Sequence, residues 1–267
     1  MPLPNFREPD SGEEAGGRMS FFEHLAELRT RLIHVCGAIA IGAFIGVYVA
    51  KHVLEFVARP MKVALENAHL DDRLIYTHPA GYLNQIITLG LYIGIVIASP
   101  YVLYQVWLFV APGLYKRERK AIAGFIVPAF LLFVTGIAFA YYIVLPYLFK
   151  FLVSFQTTET FKPLISVNEY FDLVFDVLLG VGLVFELPML VFLLSIFGIV
   201  TPQFLWKNFR YAILVIAVVA AIITPTPDAT TMLVFMAPMI LLYAVGIGVS
   251  WAVVRRKRRA ELARESA

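Results

Sequence analysis

Cysteine and charged residues are both scarce in this chain of 267 residues. Its single cysteine, Cys36, excludes an internal disulfide and any metal site built from several thiolates. Only 15% of the residues are charged, against about 25% in ordinary soluble domains, and 60% are hydrophobic. A soluble fold could not hide that much apolar surface from water, so the composition predicts an integral membrane protein.

Motifs for catalysis and for ligand binding are missing as well. The sequence has no glycine-rich loop followed by Lys and Ser or Thr, which excludes nucleotide hydrolysis by a P-loop. The five histidines are scattered without metal-ligand spacing, and a net charge of +3 does not indicate nucleic-acid binding. We therefore expect no enzyme, no catalytic residue, no cofactor and no metal site.

Six apolar segments predict an all-α protein that crosses the membrane six times. A spanning helix needs roughly 20 mostly apolar residues, whereas the fifth segment offers only about 13, or about 20 Å of helix. This segment either crosses a thinned bilayer or forms a re-entrant hairpin with the sixth segment. The segments are residues 32–50, 83–110, 121–149, 171–200, 211–223 and 232–254.

Lysine and arginine are divided unevenly between the connections. Sixteen of the 22 lie in the terminal segments and in the second and fourth connections, and six lie in the first and third. Because cytoplasmic segments are enriched in these residues, both termini are predicted to be cytoplasmic. The predicted organisation is a disordered cytoplasmic tail (1–18), a six-helix membrane domain (19–254) and a basic cytoplasmic tail (255–267).

Helix-breaking and small residues predict how the spans pack. Prolines remove a helical hydrogen bond, so we expect kinked helices that form a concave wall. Gly42 with Gly46, and Gly90 with Gly94, form two motifs that permit close contact between helices. The prolines within the long segments are Pro100, Pro128, Pro146, Pro188 and Pro238.

Residues 20–31 form the most patterned polar segment. Ser20 and Glu23 fit a capping box, which predicts a helix start. Glu27 lies four residues before Arg31, the favourable order for an ion pair on one helix face. The pattern predicts an amphipathic helix at the cytoplasmic interface that runs into the first span. It is either a simple anchor or part of a recognition site.

Two further carboxylates stand out. Glu118 is a lone acid among four cations within residues 112–120, either incidental to a topology signal or an acceptor for a guanidinium. Glu186 lies near the middle of the fourth apolar segment, where an ionised side chain costs at least about 2.5 kcal/mol. We expect it to be protonated or paired with a polar group of another helix. A proton-coupled small-solute transporter that uses Glu186 is an alternative function.

Five sequence blocks, in this order, resemble the TatC family, the large subunit of the twin-arginine protein translocase. The first is the motif Phe22-Glu-His-Leu-Ala-Glu-Leu-Arg-Thr-Arg31, and the second extends from Ser99 to Arg119. The resemblance covers residues 21–251, nearly the whole chain outside the tails. The three shorter blocks are residues 139–142, 185–188 and 223–228.

The resemblance implies a receptor in the cytoplasmic (inner) membrane that binds the Arg-Arg motif of signal peptides on folded cargo. It also implies recruitment of single-span partner subunits of the TatA and TatB type, homo-oligomers within a receptor complex, and export driven by the proton-motive force. The implied fold resembles a cupped glove with short fifth and sixth helices.

Site residues are implied position by position. Glu27 and Glu118 are the acids that face the two signal-peptide arginines, and Glu186 contacts partner subunits within the membrane. Met232 stands where some family members carry a polar residue. The other implied residues are Arg29, Arg31, Phe109, Leu114 and Tyr115 at the signal-peptide site, and Pro60 in the first outer loop.

Overall fold

The fold is taken from a computed structural model that describes residues 21–71, 73–110, 119–156, 164–224 and 229–265. Within these residues the chain is helical apart from short connections and one isolated bridge between Ile75 and Ser166. A π-helical turn (Ala140–Val144) joins α3 to α4. The helices are α1 (Phe21–Asn67), α2 (Gly81–Val110), α3 (Arg119–Phe139), α4 (Leu145–Gln156), α5 (Val167–Val184), α6 (Leu187–Ile196), α7 (Pro202–Lys207), α8 (Phe209–Ile223) and α9 (Ala229–Glu265).

These helices confirm the prediction of an all-α membrane fold. In the described part of the chain, five helical rods are long and apolar enough to cross a bilayer: α1, α2, α3 with α4, α5 with α6, and α9. α8 is the predicted short fifth helix, because its 15 residues extend only about 22 Å.

The prediction of a short sixth helix is wrong. α9 has 37 residues and continues through residues 255–265, which the sequence assigned to a tail. The helix continues because Arg, Lys, Ala, Glu and Leu all favour helix formation. Its apolar part, Ala229–Arg256, is long enough to cross the membrane by itself, which disfavours a re-entrant hairpin.

The two glycine motifs lie against each other where α1 and α2 pack antiparallel. A Cβ atom on Gly42 would lie 2.5 Å from the carbonyl oxygen of Gly94, and one on Gly46 would collide with the carbonyl oxygen of Gly90. The two backbones therefore approach too closely for any side chain at these positions. The predicted close helix contact is confirmed for both motifs.

Two of the five prolines lie where a long helix is interrupted, whereas Pro100, Pro128 and Pro238 lie inside unbroken helices. Pro188 follows a break at Phe185 and Glu186 that divides the fourth span into α5 and α6. Pro146 follows the π-helical turn. The altered hydrogen-bond pattern of that turn accommodates the missing N–H of the proline. A cavity of about 340 Å³ with an apolar lining lies between α1, α2, α3, the π-helical turn and α5, in keeping with a concave wall.

The prediction that Pro60 lies in an outer loop is wrong. Pro60 lies inside α1, which continues to Asn67. A proline has no N–H, so the carbonyl of Phe56 four residues earlier lacks its helical donor. The hydroxyl of Tyr141 donates to that carbonyl at 2.6 Å, and the hydroxyl of Tyr170 donates to the carbonyl of Val57 at 2.6 Å. The hydroxyl of Tyr141 thus replaces the donor that Pro60 lacks, and Tyr170 adds a contact at the next carbonyl.

The main hydrophobic core lies in the half of the molecule where α1 ends. It joins the second half of α1 to the π-helical turn, α4, α5 and the first turns of α9. The half where α1 begins holds two smaller clusters in the described residues, one formed by Trp107, Ala129 and Met189 and the other by Val191, Leu205 and Ile247. Among the described residues, the end that carries Glu27 therefore has the smaller apolar clusters. The large side chains that are fully buried in the main core include Phe149, Phe171, Phe235, Leu89, Leu145 and Leu148.

Candidate functional site

Glu27 and Arg31 form the centre of a polar network between α1 and α2. Nη2 of Arg31 donates to Oε1 of Glu27 at 3.1 Å, which confirms the predicted ion pair. Nη1 of Arg31 donates to Oε1 of Gln105 on α2, also at 3.1 Å. The amide nitrogen of Gln105 then donates to the hydroxyl of Tyr101 at 2.6 Å. Arg31 is thus held from two helices and fixes one oxygen of Glu27.

The network is incomplete within the described residues. Oε2 of Glu27 and Nε of Arg31 are both buried and have no hydrogen-bond partner there. A buried polar atom left without a partner costs roughly 1–3 kcal/mol, and more when the group is charged. The side chain of Glu27 as a whole is 17% exposed, although Oε2 itself is buried. This geometry fits a carboxylate that accepts a cationic ligand.

Aromatic stacking closes the network on one side. The rings of His24 on α1 and Phe109 on α2 stack with their centroids 4.5 Å apart. Phe109 therefore lies beside the network, and the stack holds the start of α1 against the end of α2. Arg29 is exposed and points away from Glu27, since two residues along a helix correspond to about 200° of rotation.

The remaining residues implied for this site, Leu114, Tyr115 and Glu118, lie outside the described residues. Sequence reasoning missed Gln105, Tyr101 and His24. Gln105 carried a usable signal, because it is a polar residue inside an apolar segment and is only 4% exposed. Tyr101 and His24 carried none, since their roles depend on contacts that form only when α1 and α2 pack.

Glu186 lies at the break between α5 and α6, well apart in the chain from the network around Glu27. Its backbone carbonyl accepts from the amides of Met189 and Leu190, while its side-chain Oε1 is buried without a partner in the described part of the chain. About two and a half helix turns beyond Glu186, Ser195 of α6 donates to Ser250 of α9 at 2.8 Å. That buried bond, also missed by sequence reasoning, ties α6 to α9.

Comparisons with known proteins identify the family. The family model described as Sec-independent protein translocase protein (TatC) matches residues 23–238. The chain belongs to the TatC family. It is 47% identical to the TatC protein of Koribacter versatilis (strain Ellin345), with 92% of each chain covered, and 35% identical to that of Aquifex aeolicus (strain VF5), with 92% of this chain and 100% of the relative covered.

Solved structures agree with that assignment. The fold matches a crystal structure of the twin-arginine translocase receptor TatC with a TM-score of 0.73 and 36% sequence identity, covering 86% of this chain and 99% of the other. The chain is therefore a multi-pass membrane component of a Sec-independent protein translocase, which confirms the prediction of a transport protein that is not an enzyme. Membership of the TatC family decides against the small-solute transporter.

Proposed function

We propose that this chain is the receptor subunit that binds the paired arginines of twin-arginine signal peptides on folded cargo. The observation that carries the proposal is Oε2 of Glu27, a buried carboxylate oxygen without a hydrogen-bond partner among the described residues. A signal-peptide guanidinium supplies planar N–H donors of the kind that this oxygen lacks.

The chemistry requires two acids, because the motif has two arginines. Glu27 receives one guanidinium, while Arg31 and Gln105 hold the carboxylate in place. Glu118 receives the other, at a position implied by the family resemblance. The surrounding cations, among them Arg29, repel basic segments that lack the paired geometry. Lysine keeps the charge but loses the planar fork, so lysine pairs bind less well.

The orientation belongs to the same proposal. Both termini lie in the cytoplasm, so that the network around Glu27 faces the cytoplasmic (inner) side where signal peptides arrive. The excess of lysine and arginine in the segments on that side supports this placement.

Glu186 is proposed as the contact within the membrane for single-span partner subunits of the TatA and TatB type. Its unpartnered Oε1 in the described structure supports this role, because a polar atom in hydrocarbon gains most from a donor on a neighbouring helix. Assembly into homo-oligomers within a receptor complex and export driven by the proton-motive force complete the proposal.

Photocrosslinking tests the receptor role. A twin-arginine signal peptide that carries a photoreactive residue is added to membranes that contain the wild type, Glu27→Gln or Glu118→Gln. We expect strong loss of crosslinking in both variants, because each loses one charged acceptor. Glu66→Gln is the matched control, since Glu66 is an exposed acid at the other end of α1. Crosslinking at the wild-type level in both site variants would refute the assigned roles.

A further inference from the structure

The last turns of α9 carry an unbroken ring of cations. Five consecutive basic residues, 255–259, follow directly on the apolar stretch of α9, and we call them the cationic ring. Successive residues on a helix are rotated by about 100°, so five in a row surround the helix on all sides. The members whose side chains the structure describes are all exposed: Arg255, Arg256, Arg258 and Arg259.

The position of the cationic ring is fixed by the helix itself. α9 continues without interruption past Val254, the last residue before the ring. At 1.5 Å per residue, the ring occupies the next 8 Å or so of the helix axis. The polar layer of a bilayer extends roughly 5–7 Å beyond the hydrocarbon on each side. A rigid helix therefore holds these cations at the depth of the lipid headgroups.

The charge of the cationic ring is not neutralised by the described part of the chain. None of the ion pairs there involves Arg255, Arg256, Arg258 or Arg259. The guanidinium of Arg255 instead lies over the ring of Trp251, 4.7 Å from its centroid, which places an aromatic residue at the same border. Two acids, Glu261 and Glu265, follow the ring on α9, so its five cations outnumber the acids beside it.

We propose that the cationic ring binds the headgroups of anionic phospholipids in the leaflet at this end of the molecule. A partner protein or a nucleic acid approaches from one side and would select cations on one helix face. Lipid headgroups surround an emerging helix, so they match a ring. The inference requires only that α9 spans the membrane, and it does not depend on signal-peptide binding.

Native mass spectrometry of the full chain tests this inference. The protein is released from micelles that contain equal amounts of phosphatidylglycerol and phosphatidylcholine, and the retained lipids are counted. We expect the wild type to prefer phosphatidylglycerol. A variant with Arg255, Arg256, Arg258 and Arg259 replaced by Gln should lose that preference by at least about tenfold, because each cation near an anionic surface contributes several-fold.

The control neutralises the same number of cations at the other end of the molecule. Its Gln substitutions are at Lys51, Arg59, Arg73 and Lys150, all of which are exposed. We expect this control to keep the preference for phosphatidylglycerol. The proposal is overturned if the variant of the cationic ring retains the wild-type preference, or if the control loses as much of it.

Discussion

At the scale of single residues, the decisive groups are polar atoms that the described fold buries without a partner. Oε2 of Glu27 and Oε1 of Glu186 are two such atoms, and both belong to acids in a chain that has few acids. Folding alone does not explain them, because each costs free energy in the unbound protein. In the proposed function, the cost is recovered when a ligand or a partner helix donates a hydrogen bond.

Gln105 provides a prediction at this scale. Gln105→Leu removes one of the two acceptors that hold Arg31, so Arg31 and the Glu27 carboxylate lose their fixed orientation. We expect the dissociation constant of a twin-arginine signal peptide to rise about tenfold, since a hydrogen bond to a charged group contributes about 1.5–3 kcal/mol. Fluorescence polarisation with a labelled peptide measures this change.

The same helix offers the control for this prediction. Gln85 is a buried glutamine at the opposite end of α2, and its amide nitrogen has no partner within the described residues. Gln85→Leu should leave peptide affinity unchanged. Equal weakening of peptide binding by both substitutions would mean that any loss of a buried amide disturbs the receptor. That result would refute the positioning role of Gln105.

At the scale of helices, backbone contacts decide the packing. α1 and α2 meet through four glycines, and this contact brings Arg31 within reach of Gln105. The polar network therefore depends on glycine positions about three to four turns away along α1. Two tyrosine hydroxyls complete a second contact, at the proline inside α1.

Gly46→Ala tests the contact between α1 and α2. Its added Cβ collides with the carbonyl of Gly90, so the helices must separate, and we expect a loss of about 1–3 kcal/mol in stability. Gly37→Ala is the control on the same helix, because its Cβ would meet nothing within 4 Å. Thermal unfolding of the purified protein in detergent should show a lower midpoint for Gly46→Ala alone. A similar midpoint for both variants would contradict the close contact.

Pro60 and Tyr141 are expected to be coupled. In the wild type, Tyr141→Phe leaves the carbonyl of Phe56 without a donor and should cost about 1–2 kcal/mol. With Pro60→Ala, the new backbone N–H of residue 60 can supply that donor, so the same substitution should cost less. A double-mutant cycle on the free energy of unfolding measures the difference.

The neighbouring tyrosine provides the control for this cycle. Tyr142 is exposed, so Tyr142→Phe should have little effect in either background. An equal cost of Tyr141→Phe with and without Pro60 would show that the hydroxyl does not compensate for the proline.

At the scale of the whole molecule, the described hydrophobic clusters are distributed unevenly. The main core lies in the half where α1 ends, and two smaller clusters lie in the half that carries Glu27. The incomplete polar network thus lies in the half with the smaller described clusters. Such a division suits the proposed receptor role, since a binding end must admit a peptide while the other end maintains the helix arrangement.

Much of this arrangement was predictable from the sequence. Hydropathy located the spans, charge placed Glu27 beside Arg31, and small residues indicated the contact between α1 and α2. The length of α9 was missed because the apolar stretch ends at Val254. The residues after it still favour helix formation, so the helix continues. The bonds from Arg31 to Gln105 and from Tyr141 to Phe56 join residues 74 and 85 positions apart, which no local pattern encodes.

The central claim is that Glu27 accepts one specific guanidinium of the signal peptide. The most direct test measures peptide affinity for the purified full chain in lipid nanodiscs, with each arginine of the pair replaced in turn by lysine. In the wild type we expect both replacements to weaken binding by about tenfold. In Glu27→Gln, one replacement should lose its effect while the other keeps it. If both replacements weaken binding equally in the wild type and in Glu27→Gln, Glu27 does not bind a signal-peptide arginine and the account is wrong.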